Sequence, residues 1–206
     1  MADLIIKPSV GNLILKDDQN VTRVSIAPTT GVTTLSNQVF PSSQVFPAGH
    51  VIQVESYYTA TQGSQTVTNS DSIVNSMTKV VTPKGASSKF LVAVRWIGEV
   101  NTSYDHLFNI HMNSVRVNCP TTQGYGLSVA PITYWASDNA TTPNALNFQT
   151  LVSTSSVIDT DITFSLVVHA TTASASYTMW NNRNFNVPAI TNEAGTSELI
   201  ITEIKG

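Results

Sequence analysis

The sequence predicts an all-β protein, an antiparallel β-sandwich of jelly-roll type that follows a short N-terminal β arm or stem. Thr, Val and Ile number 27, 23 and 15 among 206 residues, and these β-branched residues suit a pleated strand better than a helix. Apolar residues recur at every second position in several segments, which is the period of a half-buried strand. Turn clusters rich in Gly, Pro, Asn and Asp separate these segments, as in sandwiches and jelly rolls.

Residues 1–46 differ from the rest because their apolar alternations are very short and are interrupted by turn residues. Such segments cannot bury a core alone, so a flexible tail, an arm packed on the sandwich and a stem shared by three chains are all open interpretations. If the segment forms an arm or a stem that becomes ordered through partner subunits, its short apolar pairs are candidate oligomer contacts. These pairs are Leu13 and Leu15, Val24 and Ile26, and Val32 and Leu35.

The junction between the two parts is rich in proline. Pro41 and Pro47 in the run from Val39 to Gly49 cannot donate ladder hydrogen bonds and favour extended backbone. We therefore predict that residues 1–46 form an attachment and trimerisation arm or stem with its linker, and that residues 47–206 form the sandwich.

Strand predictions in residues 47–206 follow from period-two alternation. Phe108 to Met112 and Val115 to Val117 flank Asn113-Ser114, a pair typical of a tight turn, so we expect a hairpin there. The other clear strands, with the residues predicted to face inward, are His50–Tyr58 (Ile52, Val54, Tyr58), Lys89–Ile97 (Phe90, Val92, Val94, Trp96) and Ile162–His169 (Ile162, Phe164, Leu166, Val168).

The closing strand, Ser197 to Ile204, carries apolar residues on both faces. Leu199 and Ile201 lie on one face, and Ile200 and Ile204 lie on the other. One face can meet the core and the other a neighbouring subunit, and Leu199 and Ile201 are the predicted contact residues.

Charge is scarce in this chain. Only 11% of the residues are charged, against roughly 25% in a typical soluble protein, and the formal net charge is −3. Without a basic run, neither nucleic acid nor an anionic membrane is an expected partner, and no apolar stretch is long enough for a membrane-spanning helix. The single cysteine, Cys119, excludes an intrachain disulfide.

Five segments resemble virion proteins of tailed bacteriophages, especially those of marine and cyanobacterial hosts. The resemblance spans nearly the whole chain, and its motifs are structural rather than catalytic. The segments are Ala2–Pro8, Gly11–Leu15 with its Asp-rich turn, Pro47–Val54, Thr82–Val92 and Ser197–Ile204.

Members of that family are usually described as tail fibre or other virion structural proteins. The resemblance implies a homotrimer with a β-rich distal domain, attached to other virion proteins through the N-terminal arm and contacting a host surface glycan or protein. The stem is much shorter than in long tail fibres, which leaves a head fibre or capsid decoration protein as the alternative. The first residues lack the pattern of a secretion signal, so we expect assembly in the host cytoplasm and localisation in the virion.

Enzyme chemistry has little support in the sequence. No nucleophile elbow, phosphate-binding loop or zinc motif is present, so we expect a non-enzymatic protein without a cofactor, and a glycan depolymerase is the least favoured reading. The odd spacing of His106 and His111 places them on opposite faces of a strand. We predict that His111 and His169 are ordinary surface groups.

Two further features allow both a binding interpretation and a structural one. Asp17-Asp18-Gln19-Asn20 and the pair Asp159 and Asp161 suit either a Ca²⁺ ion or turn hydrogen bonds. Aromatic rings beside amides suit either sugar stacking or core packing, and we assign Trp96 to the core. The candidate glycan-binding residues are Trp180, Asn181, Asn182, Arg183 and Tyr125.

Overall fold

The structure is a computed structural model, and it describes residues 13–16, 19, 22–26, 33–35, 47–100, 105–119, 130–133, 143–155, 158–170, 176–185 and 194–206. The described residues form fourteen strands and no helix, so the all-β prediction is confirmed. It follows that this part of the chain contains no helix that could cross a membrane. The chain divides into two compact units, residues 1–45 and residues 46–206, and the division lies one residue from the predicted boundary.

The first unit contains a small antiparallel sheet. Its strands are β1 (Leu13–Lys16), β2 (Thr22–Ile26) and β3 (Thr33–Leu35), in that order. Their register places five of the six predicted contact residues opposite one another: Leu13 opposite Ile26, Leu15 opposite Val24, and Val24 opposite Leu35. Val32 lies outside the described residues, as do Asp17, Asp18 and Asn20.

The second unit contains the remaining strands, and its antiparallel ladders form two sheets. Sheet I has the order β4-β14-β7-β13-β5, with β11 also paired to β7, and sheet II has the order β10-β8-β12-β6, with β9 also paired to β8. The strands are β4 (Val51–Thr59), β5 (Gly63–Val67), β6 (Ser72–Val81), β7 (Lys89–Val100), β8 (Asp105–Met112), β9 (Val115–Val117), β10 (Ala130–Thr133), β11 (Asn144–Ser153), β12 (Ile162–Ala170), β13 (Tyr177–Asn181) and β14 (Ser197–Ile204).

The hydrophobic core lies between the inner faces of the two sheets. The ring centroid of Phe90 in sheet I is 5.3 Å from that of Phe164 in sheet II, and those of Trp96 and Phe108 are 5.2 Å apart. All four side chains are at most 1% exposed. The inward orientations predicted for β7 and β12, including the core position of Trp96, are confirmed. Two antiparallel sheets that share one core form a sandwich-like arrangement.

The predicted orientation of β4 is wrong. Val54 and Tyr58 are 58% and 60% exposed, whereas Tyr57 packs against the core. β4 is an edge strand, and a register shift next to Gln53 inserts Ile52 as an extra residue. From Gln53 to Thr59 the inner face of β4 carries the odd-numbered positions, of which Gln53 and Glu55 form polar contacts at the sheet edge.

A buried carboxylate connects β14 to the loop between β6 and β7. Glu203 is fully buried, and its oxygens accept hydrogen bonds from the backbone N–H of Lys84 (3.0 Å) and of Gly85 (2.9 Å). The Ser88 hydroxyl and the Gln53 amide each donate to it at 2.6 Å. Several donors thus replace the water that this charge loses on burial.

The predicted hairpin between β8 and β9 is confirmed. Asn113 and Ser114 have φ angles of 50° and 67°, which is the left-handed pair of a type I′ turn. A non-glycine residue in this region is strained, so we expect Ser114→Gly to stabilise the protein by about 0.5–1 kcal/mol. Urea denaturation checks this, and an unchanged or lower midpoint contradicts it.

Candidate functional site

The predicted glycan-binding segment is mostly internal. Trp180 is 9% exposed, and Asn181 and Asn182 are 2% and 0% exposed. Arg183 is partly buried, and its backbone forms a bridge with Ala194. Of the two interpretations of this segment, its burial therefore favours structural packing over sugar stacking on an exposed ring.

The two amides serve the fold instead. Asn181 Oδ1 accepts a hydrogen bond from Trp96 Nε1 at 2.8 Å, and its Nδ2 donates to Gln65 Oε1 at 3.1 Å. Asn182 Nδ2 donates to the carbonyl oxygens of residues 59 and 61, and Asn182 Oδ1 accepts from Ser197 Oγ at 2.6 Å. These bonds satisfy polar groups that burial would otherwise leave unpaired.

The Trp180 ring has an aromatic neighbour. The Trp180 ring packs edge-on against Phe185, with centroids 4.6 Å apart, and Phe185 is the more exposed ring at 41%. Tyr125 lies outside the described residues.

The last strand buries in the core the very face that was predicted for oligomer contact. Leu199 and Ile201 are 0% exposed and belong to the core of a single chain. The prediction that these two residues contact another subunit is therefore wrong. The other face of β14, on the outside of sheet I, is partly exposed and carries Glu198, Ile200, Thr202 and Ile204.

The outer face of sheet I is weakly polar. Ile200 lies opposite Ser56 of β4 and Ala93 of β7, and Ala93 lies opposite Gln149 of β11. The small side chain of Ala93 leaves shallow depressions at this point. The exposed apolar side chains Val54 and Leu151 belong to the flanking strands β4 and β11. Arg95 and Glu198, an ion pair 3.8 Å apart, line one of these depressions.

A polar cluster on sheet II was not predicted. Its members, Asp71, His111, Arg116 and His169, form what we call the Asp71 cluster. The Asp71 carboxylate binds Arg116 at two points, 2.6 and 2.9 Å, and lies 3.0 Å from His111 Nε2 and 3.2 Å from His169 Nδ1. His169 is 4% exposed, and His111 is partly buried. The prediction that both histidines are ordinary surface groups is wrong, because the cluster covers them.

The Asp71 cluster has the chemistry of a structural network rather than that of a nucleophile. Burial alone would raise the pKa of Asp71, but the hydrogen bond and charge of Arg116, with His111 and His169, lower it overall. The nearby Cys119 thiol donates to Asn109 Oδ1 at 3.5 Å, and burial raises its pKa. A thiol of raised pKa is a poor nucleophile at neutral pH.

The depressed pKa of Asp71 predicts an acid dependence of stability. A carboxyl group that ionises more easily when folded stabilises the fold above its usual pKa of 3.8, and this contribution disappears as pH falls through the lower folded value. We expect Asp71→Asn to lower the melting temperature at neutral pH and to flatten its fall between about pH 5 and pH 2. Melting curves of the two proteins that stay parallel down to low pH contradict this role.

The two acidic groups near β12 each have a protein partner. Asp161 Oδ1 accepts a hydrogen bond from Thr82 Oγ1 at 2.6 Å, and Asp159 Oδ1 lies 3.9 Å from Lys84 Nζ. Asp159 has a φ of 60° in a turn. Among the residues that the structure describes, no group of three or more His, Cys, Asp or Glu side chains could hold a metal ion.

The fold and these surfaces define an all-β protein with two antiparallel sheets and a separate small N-terminal sheet. Among the described residues, the most exposed large apolar side chains lie on strands and include Val115, Tyr58 and Val54. Comparison of the sequence with models of known protein families and with curated proteins found no match.

Proposed function

We propose that this chain is a structural protein of a tailed-bacteriophage virion, a trimeric tail-fibre-type protein that displays a jelly-roll-like domain towards the host surface. The observation that carries the proposal is the unequal division of the chain. Residues 46–206 have an extensive core of their own, whereas the described strands of residues 1–45 have four, five and three residues. A unit of 45 residues with strands this short buries little apolar surface by itself, so it gains stability by packing against another element.

Self-association satisfies this requirement. Three copies around one axis would bury the apolar pairs of β1, β2 and β3 against each other, and a closed ring leaves no copy unpaired. The arm would also attach the trimer to another virion protein. The resemblance of the sequence to phage virion proteins supports this assignment.

The low charge of the chain supports a crowded, repetitive setting. Ser, Thr and Asn supply the polar surface, so copies packed closely on one particle repel each other only weakly. The same property suits the second candidate, a head fibre or capsid decoration protein. The shortness of the stem and the weakly polar outer face of sheet I, which could lie against a shell, favour that alternative.

The oligomeric state tests the proposal in solution. We expect light scattering to give a mass of three times 22.2 kDa, and the double variant Leu15→Asn/Val24→Asn to shift the protein towards single chains. This pair lies directly opposite in the β1–β2 ladder, so the variant places two amides where an apolar contact is expected. Ile14→Asn is the matched control, because Ile14 is already 47% exposed. A wild-type mass equal to one chain contradicts the proposal.

A further inference from the structure

A polar trough of about 370 Å³ lies between β5, at one edge of sheet I, and β6, at one edge of sheet II. Among the residues that the structure describes, its lining includes no Asp, Glu, Lys or Arg side chain. Its volume falls at the lower end of the range of small-molecule sites, about 300–1,000 Å³. Its lining includes Ser64, Gln65, Ser72, Ile73, Asn75 and Ser76.

The amides of the trough are held in place by hydrogen bonds. Gln65 Oε1 accepts from the Asn75 backbone N–H at 2.9 Å and from Asn181 Nδ2 at 3.1 Å, while Gln65 Nε2 donates to the Ile73 carbonyl at 3.2 Å. Asn75 Nδ2 donates to the Thr61 carbonyl at 3.1 Å. A ligand therefore meets a surface that is ordered before binding, which lowers the entropy lost on association.

The backbone beneath the trough is strained. Asn75 and Ser76 have φ angles of 42° and 59° in the middle of β6, where no chain reversal requires them. They belong to a bulge in which residues 74–77 stand opposite a single residue of β12. Non-glycine residues in this region are costly and cluster at binding sites, and bulges redirect side chains towards such sites.

We propose that this trough binds a neutral, hydroxyl-rich ligand, the sugar units of an uncharged surface glycan. Hydroxyl and amide groups both donate and accept hydrogen bonds, as the hydroxyls of a sugar do. Ile73, 51% exposed at the rim, offers an apolar contact for the face of a sugar ring. The described lining residues provide no cation for an acidic glycan, which disfavours such a ligand.

The inference deepens the proposed contact with the host surface and rests on that function. An open trough buries little of its ligand, so the affinity of one site is weak, with a dissociation constant of about 1 mM. Several copies on one particle raise the effective affinity without any new contact.

Saturation-transfer NMR on the full chain tests the site. The probes are uncharged tetrasaccharides of glucose, galactose, mannose and N-acetylglucosamine at about 5 mM. We expect at least one to bind, and the double variant Asn75→Gly/Ser76→Gly to lose at least four fifths of the signal. Glycine fits both φ angles, so this variant removes the side chains of Asn75 and Ser76 without straining the backbone. Ser114→Gly is the matched control, because it makes the same change in a hairpin outside the trough and should bind as the wild type does.

Three results would overturn the inference: binding by none of the four probes, equal binding by the double variant, or equal binding of a hyaluronan tetrasaccharide, which is acidic. If one of these results is obtained while the protein is found on virions, the glycan-binding inference is wrong and the proposed function still stands. If a probe binds but the protein is absent from virions, only the proposed function is lost.

Discussion

Glu203→Ala is expected to destabilise the protein by about 3–5 kcal/mol, because it removes a buried charge that satisfies several donors at once. The N–H groups of Lys84 and Gly85, the Ser88 hydroxyl and the Gln53 amide would lose their shared acceptor. The loop between β6 and β7 would then lose its connection to β14. Urea denaturation followed by tryptophan fluorescence measures the loss.

Two variants make the result specific. Glu198→Ala changes another glutamate of β14 whose side chain is 31% exposed, and we expect it to cost less than about 0.5 kcal/mol. Glu203→Gln keeps the shape but turns an amide NH₂ towards donors, so it should fall between the wild type and Glu203→Ala. If Glu203→Ala costs no more than Glu198→Ala, the carboxylate does not hold this loop.

Gly98→Ala is expected to cost about 3 kcal/mol or to prevent folding. A methyl group at this position of β7 would overlap the backbone oxygen of Trp180 and the indole ring of Trp96. Neither can move easily, because the first belongs to the β7–β13 ladder and the second is a core ring bonded to Asn181. Thermal unfolding with recovery of soluble protein is the measurement.

Gly63→Ala is the matched control. Gly63 and Gly98 both lie opposite Asn181, one on each neighbouring strand, but a methyl group at Gly63 meets no atom within 4 Å. We expect Gly63→Ala to change stability by less than about 0.5 kcal/mol. Equal effects of the two substitutions would mean that backbone freedom, rather than the close approach of Trp180 and Trp96, decides the outcome.

The sequence was sufficient to predict which residues face inward where one face of a strand is apolar and the other is polar. This held for β7, β12 and the β8–β9 hairpin, where alternation and the Asn113-Ser114 pair define the register locally. It failed for β4, because an edge strand has polar neighbours on its inner side and an extra residue that shifts the period.

The polar contacts could not be predicted, because they join residues that are distant in sequence. Asp71 and Arg116 are 45 positions apart, and Trp96 and Asn181 are 85 apart. Amides beside Trp180 look the same in sequence whether they face a ligand or a neighbouring strand. The contacts of Glu203 are the exception, because the sequence places this carboxylate on the same face of β14 as Leu199 and Ile201. A carboxylate on an apolar face needs hydrogen-bond donors, so its burial among donors could have been predicted.

Immunogold labelling of intact particles tests most directly the proposed place of this chain on the surface of a phage virion. Antibodies against the chain should label particles at the tail end, and label over the head instead would replace the tail-fibre assignment with the head fibre or decoration protein. Particles that carry no label, from a lysate in which the chain is detected, would contradict this proposal.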